Sequence, residues 1–168
     1  MNLEELKNLL DTITEENKAR LEECITAADE IFLIGNGGSN AIASHMAVDY
    51  TKFLGKRCYV PNASDLMTMI VNDYGKEEMY SKFINYNYNS SAKQLAILIS
   101  SSGNSINIYN AAKRCDELSI PMVLLSGFDM DNKLNNFKSD SIKIKNWWNS
   151  NSYGTVEMIH HIYLHSII

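Results

Sequence analysis

The spacing of apolar residues changes several times along the chain. Residues 3 to 28 repeat apolar side chains at helical spacing, and this pattern predicts one long N-terminal helix. Four short runs follow that predict strands: IFLIG at 31–35, whose continuous apolar pattern is typical of a strand buried on both faces, and then RCYVP at 57–61, LAILIS at 95–100 and PMVLLSG at 121–127. SIKIK at 141–145 alternates apolar and polar residues, which predicts a fifth strand at an edge.

Helical patterns separate the predicted strands. The first predicted helix follows GNGGS and ends near Gly55. The others cover residues 64–88, residues 105–118, a short segment within 130–137, and the chain from about Tyr153 onward. Strand and helix therefore alternate, and the connections are too long for hairpins. The sequence predicts an α/β fold with a doubly wound, five-stranded parallel sheet flanked by helices. Without a linker or repeat, we expect one domain over 1–168, with an N-terminal helix at 1–29 and an α/β core at 30–168.

Composition narrows the classes of partner and the cellular location. The 168-residue chain has a net charge of −5, which argues against general affinity for nucleic acid or for an anionic membrane. Three cysteines, Cys24, Cys58 and Cys115, are odd in number and far apart, as expected of reduced thiols. The N-terminus is acidic and amphipathic, unlike a signal peptide, and no apolar run approaches a membrane span. These features predict a cytoplasmic protein.

The loop GNGGS follows the first predicted strand and leads into a helix. Its residues Asn36, Gly37, Gly38 and Ser39 are candidates for ligand binding, because glycines let the backbone approach a ligand and a helix N-terminus attracts anions. A dinucleotide-binding loop is the competing interpretation. That loop needs a third glycine where Asn40 stands, and an acidic residue about 20 positions later. Lys56 and Arg57 occupy that region instead, so anion binding of another kind is favoured.

A second polar loop follows the third predicted strand. Ser100, Ser101, Ser102 and Ser105 place four hydroxyls at the start of a helix, where they can donate to phosphate oxygens without adding charge. Ser105 as a plain N-cap in an ordinary loop is the alternative. Because carboxyl ends of parallel strands meet at one edge of a sheet, the two loops together favour a phosphomonoester carried on a sugar.

All four histidines fall in two of the predicted helices. His45 and Asp49 are four residues apart and share a helix face, and Glu157, His161 and His165 form a stripe on the last helix. An isolated helical histidine is usually structural. Two helices that each combine histidine with carboxylate, next to the same crevice, favour a site for proton transfer or a metal ion.

Three separated motifs carry a family resemblance. GNGGSNAIASHMAVD, VNDYG and SSSGNS occur in the order and near the spacing of the sugar isomerase (SIS) domain. Within it they resemble the phosphoheptose isomerases, whose pattern is GNGGS…H-x-x-x-E…GND-[FY]-G…S-T-S-G-N-S…Q-x7-H. The resemblance runs from about residue 30 to the C-terminus. It implies isomerisation of a sugar phosphate, most of all sedoheptulose 7-phosphate to D-glycero-D-manno-heptose 7-phosphate, through a cis-enediol.

The resemblance also assigns roles to individual residues. It implies a divalent metal, typically zinc, held by His45, Asp49, Glu157 and His165. Helix spacing adds His161, which lies between the last two, as an alternate ligand. Asp49 becomes the base and His165 its acid/base partner, and Glu157 also reaches the substrate. Asn72 and Asp73 match positions that contact the sugar. A homo-oligomer, a tetramer in the family, is expected, and the apolar end IYLHSII is consistent with burial against another subunit.

Several positions depart from the family pattern. Asp49 stands where the family has Glu, Glu157 replaces Gln, and Asn40 replaces His. On a straight helix Glu157 and His165 are about 12 Å apart along the axis, which is a long reach to one ion. The segment that contains Trp147 and Trp148 has little likeness; the tryptophans either cover the crevice, lie at an interface, or pack in the core. The departures leave two alternatives: a non-catalytic sugar-phosphate sensor or protein scaffold, and an isomerase of another phosphosugar used in surface-polysaccharide synthesis.

Overall fold

A computed structural model describes residues 2–168. Five strands form one sheet in the order β2-β1-β3-β4-β5, and every neighbouring pair is parallel. The strands are β1 Glu30–Gly35, β2 Arg57–Tyr59, β3 Gln94–Ser100, β4 Met122–Gly127 and β5 Ile142–Trp148. The predicted α/β fold with a five-stranded parallel sheet is confirmed.

Eight helices in the described part of the chain cover the two faces of the sheet. They are α1 Leu3–Leu10, α2 Glu15–Ala27, α3 Gly38–Leu54, α4 Ser64–Tyr74, α5 Met79–Asn87, α6 Ile106–Glu117, α7 Lys133–Asn136 and α8 Tyr153–His165. Side chains alternate between faces along β1: Ile31 and Leu33 join the core under α1, α2, α3 and α8, whereas Phe32 and Ile34 join the core under α4 to α7. Between residues 2 and 168, no helix has the length and apolarity that crossing a membrane requires.

The prediction of one long N-terminal helix is wrong, because the chain breaks between Leu10 and Glu15. Thr14 starts a second helix through a capping box: its hydroxyl accepts from the Asn17 backbone N–H, and the Asn17 side chain accepts from the Thr14 N–H. Both halves keep the 3.6-residue period, so apolar spacing alone cannot reveal the break. The helical pattern at 64–88 likewise contains two helices, α4 and α5, with α4 ending at Tyr74 before Gly75.

The alternating strand β5 lies at an edge of the sheet, beside β4 alone. It extends past the predicted segment to include both tryptophans. Trp148 is 5% exposed and its ring packs 5.3 Å from His160 and 5.5 Å from Tyr163 of α8. The Trp147 indole N–H donates to the Phe128 carbonyl oxygen at 3.1 Å. Trp148 is therefore a core residue that seats α8 on the sheet.

The register of the sheet brings the two predicted ligand loops together. Gly35, the last residue of β1, pairs with Ile99 of β3, and Ser100 pairs with Ser126 of β4. The loops that follow β1 and β3 therefore start side by side at the carboxyl edge of the sheet, where open parallel sheets bind ligands.

Candidate functional site

A cavity of about 170 Å³ lies at the carboxyl ends of β1 and β3. Its walls are formed by Asn36, Ser39, Ile99, Ser100, Ser101, Ser102, Ser105, Tyr153 and Glu157. We call it the serine cavity. All four serines predicted from the second loop line it, together with Asn36 and Ser39 of the first loop. Gly37 and Gly38 shape the loop rather than the walls.

A larger cavity, about 630 Å³, opens at the other end of the strands, where β3 and β4 begin. Its walls include Cys24, Leu95 and Ile120, and they include none of the residues predicted to bind ligand. Size alone therefore does not identify the site. The smaller cavity is the one in which polar groups from several elements converge.

The GNGGS loop depends on glycine at two positions for different reasons. Gly37 has φ +52°, a conformation that side-chain-bearing residues rarely adopt. Gly38 is the first residue of α3, and a Cβ atom there would lie 2.4 Å from Glu157 Oε1. The Glu157 carboxylate thus occupies space that exists because residue 38 has no side chain. This contact between α3 and α8 was not predicted from the sequence.

The hydroxyls of the loop that follows β3 make few hydrogen bonds within the described chain. Ser105 occupies the N-cap position of α6, yet its side chain caps no helix N–H and instead accepts from the Ser100 hydroxyl at 3.3 Å. The plain N-cap interpretation of Ser105 is therefore not supported. Ser101 is 5% exposed, and its Oγ has no hydrogen-bond partner within residues 2–168. A buried hydroxyl without a partner is costly unless a ligand satisfies it.

Helix α7 and its N-cap residue hold the same loop in place through hydrogen bonds. Asn132 is 1% exposed, donates to the Asp129 carbonyl oxygen at 2.7 Å and accepts from the Asn135 N–H at 2.8 Å. The backbone N–H of Leu134 then donates to the Gly103 carbonyl oxygen at 3.0 Å. Asn132 was missed as a supporting residue; its only signal in the sequence is an asparagine at the start of a short helical pattern.

A second polar group lies between α3 and α8. Asp49 Oδ2 is 3.0 Å from Nε2 of His45 and 3.0 Å from Nε2 of His165. One ligand atom from each of these three residues lies within 4.8 Å of the others. Two imidazole nitrogens and a carboxylate oxygen are the donor set of many zinc sites, so the His45–Asp49–His165 group fits the divalent metal that the sequence predicts. The Tyr50 hydroxyl, which donates to the Leu164 carbonyl oxygen at 2.8 Å, holds the two helices in this register.

The other two candidate ligands on α8, His161 and Glu157, differ in how near they lie to the His45–Asp49–His165 group. The His161 ring lies 4.6 Å from the His45 ring and 5.9 Å from the His165 ring, and its Nε2 is buried without a partner in the described chain. Burial, with His45 and His165 nearby, lowers the pKa of His161, and the Asp49 carboxylate opposes that shift. Glu157 lies outside the His45–Asp49–His165 group and faces the serine cavity. The structure therefore brings together three of the four predicted metal ligands.

Comparison with known proteins agrees with this architecture. The family model described as SIS domain matches residues 3–127, which is most of the chain. The chain belongs to the SIS domain family.

Relatives of this SIS domain carry a more specific name. A phosphoheptose isomerase of Aneurinibacillus thermoaerophilus is 34% identical over 130 residues, which cover 74% of this chain and 63% of that protein. One of Aliarcobacter butzleri is 30% identical over 151 residues, covering 86% of this chain and 76% of that protein. The chain thus spans less than two thirds of the first relative. The resemblance to phosphoheptose isomerases predicted from the motifs is confirmed.

A solved structure supports the fold of this SIS domain. Phosphoheptose isomerase GmhA from Neisseria gonorrhoeae superposes with a TM-score of 0.85 at 24% identity, covering 96% of this chain and 88% of that one. At this identity the likeness concerns the fold.

His160 has a structural role in the SIS domain. It is fully buried against Trp148, and its Nε2 lies 3.2 Å from the Ser126 carbonyl oxygen. Burial lowers its pKa from 6.5 to about 4, so the ring is neutral at physiological pH. His160 ties α8 to β4 and faces away from the His45–Asp49–His165 group.

Asn72 and Asp73 are not brought to the serine cavity within one chain. Both are exposed near the end of α4, and the Asn72 amide donates to Asp73 Oδ1 at 2.9 Å. Neither residue is among the cavity's lining residues. Helix α4 packs on the face of the sheet opposite α3 and α8, which carry the His45–Asp49–His165 group. Asn40 also points elsewhere, and its amide donates to Asn62 Oδ1 at 2.9 Å.

Proposed function

We propose that this SIS domain is an aldose–ketose isomerase of a sugar phosphate, with sedoheptulose 7-phosphate as the substrate. The observation that carries the proposal is the position of two polar sites along the same pair of helices. The serine cavity lies at the start of α3 and beside Glu157, and the His45–Asp49–His165 group lies further along α3 and α8. The name of the relatives supports the reaction and the heptose substrate.

The serine cavity would hold the phosphate end of the substrate. Its hydroxyls donate to phosphate oxygens, and the unpartnered Ser101 hydroxyl gains an acceptor when phosphate binds. The N-termini of α3 and α6 both begin beside the cavity without a side-chain cap, and the positive end of each helix dipole favours an anion. The cavity therefore anchors the ligand, and the reaction takes place at the carbonyl end.

Proton transfer is assigned to Asp49 and His165. In the proposed reaction Asp49 removes the proton from the carbon next to the carbonyl, and a cis-enediol results. His165, hydrogen-bonded to Asp49 at 3.0 Å, exchanges a proton with the substrate oxygens, and the proton returns to the neighbouring carbon. His45 holds the same carboxylate oxygen from the other side and so fixes its orientation.

His45, Asp49 and His165 would also hold a divalent metal, for which zinc is our proposal. When bound, such an ion polarises the carbonyl oxygen of the substrate. His161 is the nearest further nitrogen donor, since its ring packs on His45. We keep it in the set as the alternate ligand that the sequence suggests.

We further propose a single-domain, cytoplasmic homo-oligomer, with a tetramer as the family resemblance implies. Exposed apolar side chains on the two helices that carry the site support association. Val48 is 64% exposed and Phe53 54% exposed on α3, and Met158 is 39% exposed on α8. Light scattering of the purified protein in solution measures its oligomeric state independently of activity.

The direct test of the function is incubation of the purified protein with sedoheptulose 7-phosphate and zinc. We expect an aldoheptose 7-phosphate product, and its loss on chelation or with His165→Ala. The Glu22→Gln variant, which changes an exposed residue of α2, should retain activity. A folded protein that binds the sugar phosphate without converting it would instead support the sensor or scaffold alternative.

A further inference from the structure

The serine cavity has an unusual charge balance for an anion site. Its lining residues contain no lysine or arginine, and Glu157 is the only carboxylate among them. Tyr153 is the only other titratable group in the lining, and the remaining polar residues are neutral amides and hydroxyls. A phosphate dianion bound here would share a small cavity with a carboxylate.

The positive electrostatic potential in the cavity comes from two helix N-termini. Helix α3 begins at Gly38, against which the Glu157 carboxylate lies, and α6 begins at Ile106 directly after the serine loop. Each N-terminus is equivalent to roughly half a positive charge. Together they contribute about one positive charge, which the single Glu157 carboxylate offsets. The cavity is thus close to neutral, and its hydroxyls rather than its charge favour a ligand.

We propose that Glu157 is a specificity-determining residue of the ligand cavity rather than a metal ligand. Its carboxylate weakens the binding of bare phosphate by repulsion. A polyol phosphate ester recovers affinity, because a sugar hydroxyl donates to the carboxylate while the serines hold the phosphate. The residue therefore selects hydroxyl-rich phosphate esters over inorganic phosphate. This inference rests on the phosphate-binding part of the proposed function, but not on catalysis.

The position of Glu157 supports this assignment. Its carboxylate lines the serine cavity and occupies the space that Gly38 leaves open. The three residues whose ligand atoms cluster are His45, Asp49 and His165, and Glu157 is not among them. In this structure Glu157 faces the serine cavity, whereas His165, eight residues further along α8, contacts Asp49.

Binding calorimetry on the metal-free protein tests the inference. Inorganic phosphate and sedoheptulose 7-phosphate are titrated separately into wild type, Glu157→Gln and Glu22→Gln at about pH 8.5. This pH lies above the second pKa of the ester, about 6, and above that of inorganic phosphate, so both ligands are dianions. We expect Glu157→Gln to bind inorganic phosphate about tenfold more tightly, because one carboxylate charge near the anion is removed. We expect a smaller change for the sugar phosphate, so that the preference for the ester narrows. Glu22→Gln removes the same charge from α2 and should match wild type.

Two further measurements keep the outcomes distinct. Glu157→Ala provides a second neutral variant in case Glu157→Gln folds poorly, and it too should bind inorganic phosphate more tightly. Zinc affinity, measured by competition with a chromophoric chelator, should stay within about threefold of wild type, since loss of a ligand-supporting group costs at least about tenfold. Unchanged or weaker phosphate binding in both neutral variants, no phosphate binding by any form, or a tenfold loss of zinc affinity would overturn the inference. Because this experiment measures binding and not turnover, its result does not depend on whether the protein catalyses the isomerase reaction.

Discussion

Asp49 and His165 are 116 residues apart in sequence and 3.0 Å apart in the structure, joined by a hydrogen bond between Oδ2 and Nε2. The bond connects α3 with α8, the two helices that flank the carboxyl edge of the sheet. His45 reaches the same oxygen at 3.0 Å. A carboxylate held between two imidazoles is poised to move a proton or to bind a cation, and the protein's proposed chemistry depends on it.

The Asp49 carboxylate should be required for turnover but not for folding. We expect Asp49→Asn to lower kcat by about 10²–10⁴-fold, because the general base is lost while the side-chain volume is kept. His45 and His165 are about half exposed, and partly exposed ion pairs contribute little to stability. A thermal unfolding midpoint close to that of wild type, together with lost activity, is the expected pattern. Full activity of Asp49→Asn would remove Asp49 from the mechanism.

Gly38 and Gly37 offer a matched pair of substitutions. Gly38→Ala should displace the Glu157 carboxylate, because the new Cβ would lie 2.4 Å from Oε1, and ligand binding should change while stability is retained. Gly37→Ala meets no atom within 4 Å but forces alanine to φ +52°, so it should cost about 1 kcal/mol of stability or more. Calorimetric ligand titration and urea unfolding of both variants separate the two effects. Identical behaviour of the two variants would contradict the assigned roles.

Stability should fall as the pH drops below about 6.5 because of His160. Its pKa is lowered from 6.5 to about 4 in the folded state, so the unfolded chain binds the extra proton first. The unfolding free energy should therefore decrease progressively from pH 6.5 to about pH 4, by about 3 kcal/mol at full effect. Urea unfolding across this range measures the slope. His160→Gln should flatten this part of the profile, and an unchanged slope would show that other groups dominate.

Zinc affinity should depend on His161. The His161→Phe variant keeps an aromatic ring next to His45 but removes both ring nitrogens. We expect zinc binding to weaken about tenfold or more, as when a group that supports a metal ligand is lost. Competition with a chelator measures the change, and Glu22→Gln serves as the unaffected reference. Equal zinc affinity in His161→Phe and wild type would limit the metal group to His45, Asp49 and His165.

The sheet and the meeting of the loops that follow β1 and β3 could be predicted because their signals are local. Continuous apolar runs such as LAILIS indicate buried strands, and a parallel sheet necessarily brings the loops after β1 and β3 to one edge. The break at Asp11–Thr14 was not predictable from periodicity, because α1 and α2 both present apolar residues at helical spacing. Only the Thr14 and Asn17 capping pair marks it.

The candidate site was predictable in part for the same reason. His45 and Asp49 share a helix face by spacing alone, and their partner His165 followed from the family motif. The separation of Glu157 from His165 was expected, since eight residues of a helix span about 12 Å. Which of the two lies beside His45 and Asp49 depends on the axial position of α8 relative to α3. That position is set by tertiary contacts such as the Tyr50 hydrogen bond to the Leu164 carbonyl, which the sequence does not encode locally. The placement of Asn72 and Asp73 outside the cavity likewise depends on how α4 packs in the folded domain.

The decisive experiment for the isomerase proposal is conversion of sedoheptulose 7-phosphate by the zinc-loaded protein in deuterated water, followed by NMR. We expect an aldoheptose 7-phosphate product that carries deuterium on the carbon next to the carbonyl, because the proton that passes through Asp49 as the cis-enediol forms exchanges with the solvent. Product and deuterium should both disappear with Asp49→Asn and persist with Glu22→Gln. A folded, zinc-loaded protein that leaves the sugar phosphate unchanged and undeuterated would show that the protein is not an isomerase of this sugar.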